Sequence, residues 1–112
     1  GNGPLIVLDD ADLQAAADAA VYGAYWNAGQ VCCATERVLV HEAVHDAFVD
    51  ALRVASSAAV LGDPFDEPTT LGPLNNEATA SKMDTHIADA VDRGLSSRPT
   101  PLTAVRSTTA TR

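Results

Sequence analysis

The chain has 112 residues, of which 46% are hydrophobic but only 4% aromatic, and its formal net charge is −8. This length suits one small domain rather than a multidomain protein. Alanine supplies much of the apolar content and buries little area, which predicts a thin core. With no basic patch in the sequence, we expect neither nucleic acid nor an anionic membrane surface as a partner.

The two cysteines are adjacent, at Cys32 and Cys33. A disulfide between neighbours is strained, so the pair does not indicate a secreted disulfide framework, and we expect a reducing, cytoplasmic setting. No stretch is long and apolar enough to span a bilayer, and no signal-peptide pattern is visible. Because Gly1 stands where an initiating methionine would, we expect the chain to begin partway through a longer reading frame.

The first element predicted is a strand over residues 4–8, a continuous apolar run typical of a parallel sheet covered on both faces. Residues 9–12 are acidic apart from Ala11 and predict the N-cap and first turn of a helix. Gly29 is the expected end of that helix. Its apolar residues recur at helical spacing: Leu13, Ala16, Ala17, Ala20, Val21 and Ala24.

Further strands and helices are predicted after residue 29. The sequence predicts a loop over 30–36, a strand over 37–41, a helix from Glu42 to about Ala59, breaks at 62–64 and 68–73, and a helix over 77–93 with Gly94 as its C-cap. The order of strands and helices indicates an α/β layer, but two strands cannot complete a sheet.

Residues 95–112 differ in composition from the rest. All 15 acidic residues lie in residues 1–94, whereas the last 18 contain three arginines and no acid. Serine, threonine and proline dominate there, with no apolar periodicity. We predict a disordered tail over 95–112 following a single folded region over 1–94.

The most informative segment for chemistry is 25–37, which reads YWNAGQVCCATER. It places a cysteine a few residues after a helix stop and just before a strand, where a loop can present a side chain to a cleft. A cysteine thiolate can attack a carbonyl carbon and form a covalent adduct. The alternative is that the cysteine is a small buried apolar residue, which residue type and spacing alone favour.

A zinc site is a weaker possibility for Cys32, Cys33, His41 and His45. Zinc-binding cysteines are normally separated by two or more residues, and adjacent ones fit tetrahedral coordination poorly. We therefore expect no metal site and predict that His41, His45 and His86 lie at the surface.

Other polar groups have local explanations. Acidic pairs such as Asp9–Asp10 and Asp66–Glu67 stand where caps and turns are expected. The Gly1-Asn2-Gly3 segment is not a dinucleotide fingerprint, because its glycines precede a strand instead of following one.

The segment up to Glu42 resembles the catalytic domain of the aldehyde dehydrogenase superfamily. The family pattern is an aromatic or aliphatic residue, three variable residues, Gly-Gln, one variable residue and the nucleophilic cysteine. Here these positions are Tyr25, residues 26–28, Gly29-Gln30, Val31 and Cys32. The resemblance covers about the first 94 residues. It implies a partial, incomplete three-layer parallel sheet of an aldehyde dehydrogenase catalytic domain, with Cys32 as the nucleophile.

The resemblance also implies a reaction. Such enzymes oxidise an aldehyde to a carboxylic acid with NAD or NADP, through a thiohemiacetal and a thioacyl-enzyme. The backbone N–H of the cysteine, here Cys32, would help to stabilise the oxyanion. The family's glutamate base, oxyanion asparagine and nucleotide-binding domain are not matched in this chain. We therefore expect the chain to be inactive alone and to bind no cofactor.

Two further expectations concern the substrate and the partners. Tyr25, Trp26, Val31 and Cys33 are candidate walls of an aldehyde site, although the sequence does not specify which aldehyde. The parent family is oligomeric, and unpaired strand edges would promote self-association. The alternative function is a non-catalytic remnant or interaction module that associates with a dehydrogenase subunit. The loss of family pattern after Gly94 suggests a frameshift as the origin of residues 95–112.

Overall fold

The computed structural model describes residues 3–94, so the predicted disordered tail over 95–112 lies outside the described residues. Two strands and three α-helices are linked by short 3₁₀ segments. In chain order they are β1 (Gly3–Val7), α1 (Leu13–Tyr25), a 3₁₀ segment (Trp26–Gly29), β2 (Thr35–Val40), a 3₁₀ turn (Glu42–Val44), α2 (His45–Ser57) and α3 (Glu77–Asp92).

The chain divides into two compact units, Gly1–Gly72 and Pro73–Arg112. In the first unit β1 and β2 pair in parallel, with Ile6 opposite Leu39. Parallel neighbours need a crossover connection, and α1 supplies it as the helix of a β-α-β unit. The structure confirms the predicted α/β class and its incomplete parallel sheet.

The core of the first unit lies where α1 and α2 pack against one face of the sheet. Four buried residues form it: Val7, Ala17, Ala20 and Phe48. Phe48 is 1% exposed and is the largest fully buried side chain, whereas the two alanines allow helix α1 to approach closely. The predicted thin core is confirmed, and a single aromatic ring fills much of it.

The opposite face of the sheet corrects one prediction. We expected β1 to be buried on both faces, but Ile6 is 66% and Leu8 57% exposed, and Leu39 on β2 is 50% exposed. Successive strand residues point to opposite faces, and α1 and α2 cover only the face of Val7. Within the described residues of the first unit, 3–72, no second helical layer covers the other face of the strands, so the run of apolar residues is only half buried.

The starts of α1 and α3 agree with the sequence, whereas the start of α2 does not. The Asp12 carboxylate accepts a hydrogen bond from the Ala15 N–H at 3.1 Å, which confirms the predicted cap of α1. The helix predicted to begin at Glu42 instead opens with the 3₁₀ turn. There the His41 Nδ1 accepts from the Ala43 N–H at 3.2 Å, which tightens the first turn.

The second unit contains α3. Asn76 caps this helix by accepting from the Thr79 N–H at 2.9 Å, and Gly94 follows it with a φ of 88°. A glycine with positive φ just past a helix is the usual αL stop, as the sequence predicts. No helix within residues 3–94 combines the length and the apolar content needed to cross a membrane.

We expect Phe48→Ala to lower the free energy of unfolding by roughly 3–5 kcal/mol, because it leaves a cavity in a small core. Phe65→Ala is the matched control, since that ring is 95% exposed. Its effect should stay within about 0.5 kcal/mol. Urea unfolding followed by circular dichroism measures both, and equal effects would contradict the assignment of Phe48 as the core residue.

Candidate active-site turn

Cys32 and Cys33 occupy the centre of a β-turn that leads into β2. The Ala34 N–H donates to the Val31 carbonyl at 3.1 Å and closes the turn. Both cysteines are free and exposed. The alternative that Cys32 is a buried apolar residue is therefore wrong.

A left-handed stretch of backbone joins α1 to this turn. Asn27 has a φ of 50°, Ala28 of 56° and Gly29 of 73°. Glycine adopts this region freely and asparagine tolerates it, but steric contacts destabilise an alanine there by about 1–2 kcal/mol. This reversal ends α1 at Tyr25 instead of at Gly29, the stop that the sequence predicts.

Asn27 and Gln30 hold the ends of the left-handed stretch together. The Asn27 carbonyl accepts from the Gln30 backbone N–H at 3.1 Å and from the Gln30 Nε2 at 2.9 Å. The Asn27 amide in turn donates to the Gln30 carbonyl at 3.4 Å. These bonds pair backbone groups of Asn27 and Gln30 across the left-handed stretch, and they fix the approach to Val31 and Cys32.

Two glycines position the turn through the absence of a side chain. A Cβ on Gly3 would lie 2.7 Å from the Ala34 carbonyl oxygen and 3.4 Å from that of Cys33. A Cβ on Gly23 would clash with the Thr35 hydroxyl. In the sequence, Gly3 stands out only as part of a segment that does not match a dinucleotide motif. One feature of the sequence does indicate this contact: Gly3 opens a strand, and a glycine in a strand often marks a place where another backbone segment approaches closely.

The turn lies at the amino ends of the two strands. Gly3 begins β1, and Thr35, its register partner, begins β2 directly after the turn. Ligands of open α/β sheets usually bind at the opposite, carboxyl edge. In this chain the exposed thiols are instead presented from the connection between a helix and the following strand.

An open apolar groove of about 480 Å³ runs beside the end of α1. Tyr25 and Trp26 line it, and the Trp26 ring meets Tyr22 edge-on with centroids 4.9 Å apart. Of the four candidate wall residues, Val31 and Cys33 do not line this groove, and neither does Cys32. Its remaining lining comes from α1, the 3₁₀ segment, α2 and the segment after α2: Val21, Tyr22, Asn27, Ala55, Ala58, Ala59, Thr70 and Leu71.

The histidines are at the surface, as predicted. His41 caps the 3₁₀ turn, His45 contacts Asp46 at 3.1 Å, and His86 is exposed on α3. Within the described part of the chain, no three side chains of the His, Cys, Asp or Glu type come together as metal ligands.

The strand-to-helix turns do not suit a dinucleotide. A pyrophosphate site needs glycines after a strand and free N–H groups at the helix N-terminus. After β1 the chain instead carries acidic residues, and the Asp12 carboxylate already accepts from the first turn of α1. After β2, His41 performs the capping role. The described residues therefore do not fit the phosphates of NAD or NADP.

Taken together, the β-α-β unit and the cysteine turn define part of an α/β protein with two exposed cysteines on a loop. The family model for the aldehyde dehydrogenase family matches residues 1–98. The chain belongs to the aldehyde dehydrogenase family.

The relatives are much longer than this chain. The NADP(+) succinate-semialdehyde dehydrogenase of Escherichia coli K12 is 43% identical over 94 residues, which are 84% of this chain and 20% of that protein. The vanillin dehydrogenase of Pseudomonas fluorescens is 46% identical over 94 residues, again 84% of this chain and 20% of that protein. The crystal structure of succinate-semialdehyde dehydrogenase from Burkholderia pseudomallei superposes with a TM-score of 0.80 at 50% identity, again over 84% of this chain and 20% of the other. This chain spans about a fifth of the length of these relatives.

We expect Gly29→Ala to lower the free energy of unfolding by about 1–2 kcal/mol, because alanine is strained at a positive φ. A Cβ there would also lie 3.1 Å from the Ala24 carbonyl oxygen. Ala28→Gly, one residue earlier in the same conformation, should not destabilise the chain, because it removes the equivalent strain. Urea unfolding of the two variants compares them, and a loss of stability in both would argue against a strained left-handed turn.

Proposed function

We propose that this chain is part of an NAD(P)-dependent aldehyde dehydrogenase in which Cys32 is the nucleophile. The observation that carries the proposal is the exposure of Cys32 on a turn whose backbone is fixed on both sides. Asn27 and Gln30 hold the residues before it, and the close approach of Gly3 to Ala34 restricts the residues after it.

The chemistry assigned to this turn is attack on a carbonyl. The Cys32 thiolate forms a C–S bond to the aldehyde carbon, and the carbonyl π electrons move to oxygen to give the thiohemiacetal oxyanion. The Cys32 backbone N–H makes no hydrogen bond to an acceptor among residues 3–94. It is therefore free to donate to that oxyanion, as the family resemblance implies.

The oxidation itself is not assigned to these residues. In the whole protein we expect NAD or NADP to accept the hydride, and a thioacyl-enzyme to be hydrolysed to the carboxylic acid. Because residues 3–94 do not fit the cofactor phosphates, we assign no step of hydride transfer to them. The substrate class is an aldehyde; the relatives named above act on different ones, succinate semialdehyde and vanillin.

A second candidate is a non-catalytic remnant that associates with a dehydrogenase subunit. The half-exposed sheet face of Ile6, Leu8 and Leu39 favours it, because apolar surface of this kind is normally covered. The two strands also leave outer edges with no partner strand among residues 3–94. Copurification of a stoichiometric dehydrogenase subunit would favour this function, and oligomers of indefinite size would indicate simple self-association.

We expect Cys32 to be alkylated markedly faster than Cys33, because the proposal makes Cys32 the nucleophile and gives Cys33 no part in the reaction. Iodoacetamide labelling read site by site by mass spectrometry measures both rates in one sample. A short aliphatic aldehyde should slow labelling of Cys32 but not of Cys33, since only Cys32 would form the thiohemiacetal. Cys33→Ser is the matched control and should leave the Cys32 rate unchanged. Equal rates at the two positions without aldehyde protection would contradict the assignment.

The isolated chain should not reduce NAD or NADP with any aldehyde. The chain spans about a fifth of the length of its relatives, and its described residues do not fit the cofactor phosphates. Absorbance at the wavelength of the reduced nicotinamide measures this directly, with a full-length family member as the positive control. Turnover that disappears in Cys32→Ser would show that the chain is sufficient for catalysis and would refute the expectation.

A further inference from the structure

We propose that two copies of this chain form a dimer in which Phe65 of each copy enters the apolar groove beside the end of α1 of the other. The chain contains two tyrosines, two phenylalanines and one tryptophan, and only Phe48 among them is buried. The other four are exposed to solvent: Tyr22 by 64%, Tyr25 by 38%, Trp26 by 56% and Phe65 by 95%. Exposed aromatic side chains in this proportion are typical of a protein interface, where Tyr, Trp and Phe are enriched.

Phe65 lies in the middle of a loop that is closed at its base by hydrogen bonds. The Val60 N–H donates to the Thr70 hydroxyl at 2.8 Å, and the N–H groups of Thr70 and Leu71 donate to the Val60 carbonyl at 2.9 and 3.0 Å. Within the loop, the Phe65 N–H donates to the Asp63 carboxylate at 3.0 Å. Because these bonds already order the backbone around Phe65, little further entropy is lost when a partner buries its ring.

The groove has room for an aromatic ring and offers aromatic partners to it. Its volume is about 480 Å³, and its lining includes Tyr22 and Trp26, whose rings already meet edge-on. A third ring can join such a pair by offset or edge-to-face contact. Phe65 does not line the groove of its own chain. The ring that fits the groove must therefore come from another molecule.

The loop and the groove are neighbours in the first unit. Thr70 and Leu71, which close the base of the loop, also line the groove. When a projecting ring stands beside the groove that it complements, two copies can face each other across a two-fold axis with each ring in the partner's groove. A ring and a groove on opposite surfaces would instead build an open filament. The contact therefore closes as a dimer, and it uses neither the cysteine turn nor the aldehyde chemistry proposed above.

The exposed aromatic area is sufficient for a weak dimer. An aromatic side chain buries about 150–250 Å², so the exposed fractions of these four amount to roughly 400–600 Å² on each copy. Two copies would bury roughly twice that area, which is at the low end of specific interfaces. The expected dissociation constant is on the order of 10–100 μM. Well below that concentration the chain is monomeric, so Phe65→Ala has little effect on unfolding there.

The charges of the loop give the dimer a distinctive salt dependence. The loop carries three carboxylates, Asp63, Asp66 and Glu67, and residues 60–71 contain no basic side chain. The two-fold contact brings the two loops together, so these charges repel each other across the interface. Salt screens that repulsion, and dimerisation should therefore strengthen as ionic strength rises.

Sedimentation velocity of the full chain, from roughly tenfold below to tenfold above the expected dissociation constant, tests the proposal. The wild type should pass from monomer to dimer. Phe65→Ala should weaken dimerisation at least about tenfold, because both copies lose the ring, and Ala58→Gln should weaken it by filling the groove that Ala58 lines. Ile6→Thr is the matched control: Ile6 is 66% exposed on the sheet face and does not line the groove, so the dimer should be unaffected.

Trp26, the single tryptophan, reports on the groove without any variant. Its emission should move to shorter wavelength as the wild-type concentration rises, and more so in high salt. Circular dichroism checks that each variant folds like the wild type. A monomer at every concentration, oligomers larger than a dimer, or a dimer without an emission shift would overturn the proposal. A dimer that Ile6→Thr weakens as much as Phe65→Ala does, or one that salt weakens, would also overturn it.

Discussion

The packing of helix α1 against the sheet and α2 is the constraint on which the cysteine turn depends. Val7, Ala17, Ala20 and Phe48 are the buried contacts that hold these elements together. The packing of α1 fixes the start of the connecting segment, and the pairing of β2 with β1 fixes its end. Nine residues lie between the end of α1 at Tyr25 and the start of β2 at Thr35, so a loss of α1 packing would release both ends of the connection.

Within that connection, local hydrogen bonds and steric exclusion replace regular structure. The left-handed backbone at Asn27, Ala28 and Gly29 reverses the chain, and the Asn27–Gln30 contacts keep it reversed. Strain at an alanine persists only where surrounding interactions determine the conformation. Here helix α1 before Ala28 and the closed turn after it determine the backbone conformation of Ala28. The consequence is that two thiols are exposed at the amino edge of the sheet on a backbone of defined shape.

The same small core explains the other surface of the unit. Two helices cover one face of two strands, which leaves Ile6, Leu8 and Leu39 in contact with solvent on the other. Strands with apolar residues on both faces are typical of a parallel sheet that is covered by helices on both faces. The structure superposes on 20% of the succinate-semialdehyde dehydrogenase from Burkholderia pseudomallei, so this chain corresponds to only part of that longer fold.

The sequence by itself determined the order of strands and helices, because apolar spacing and caps act within a few residues. Asp12 is such a cap, and Gly94 is such a stop. It also identified the cysteine segment, since the residues from Tyr25 to Cys32 carry the family pattern in their order alone. Only the tertiary structure decided that α1 ends at Tyr25, that β1 is buried on one face, and that Gly3 touches the turn beyond Cys33. These features depend on which distant segments meet in space, and contacts between distant segments have no local signature in the chain.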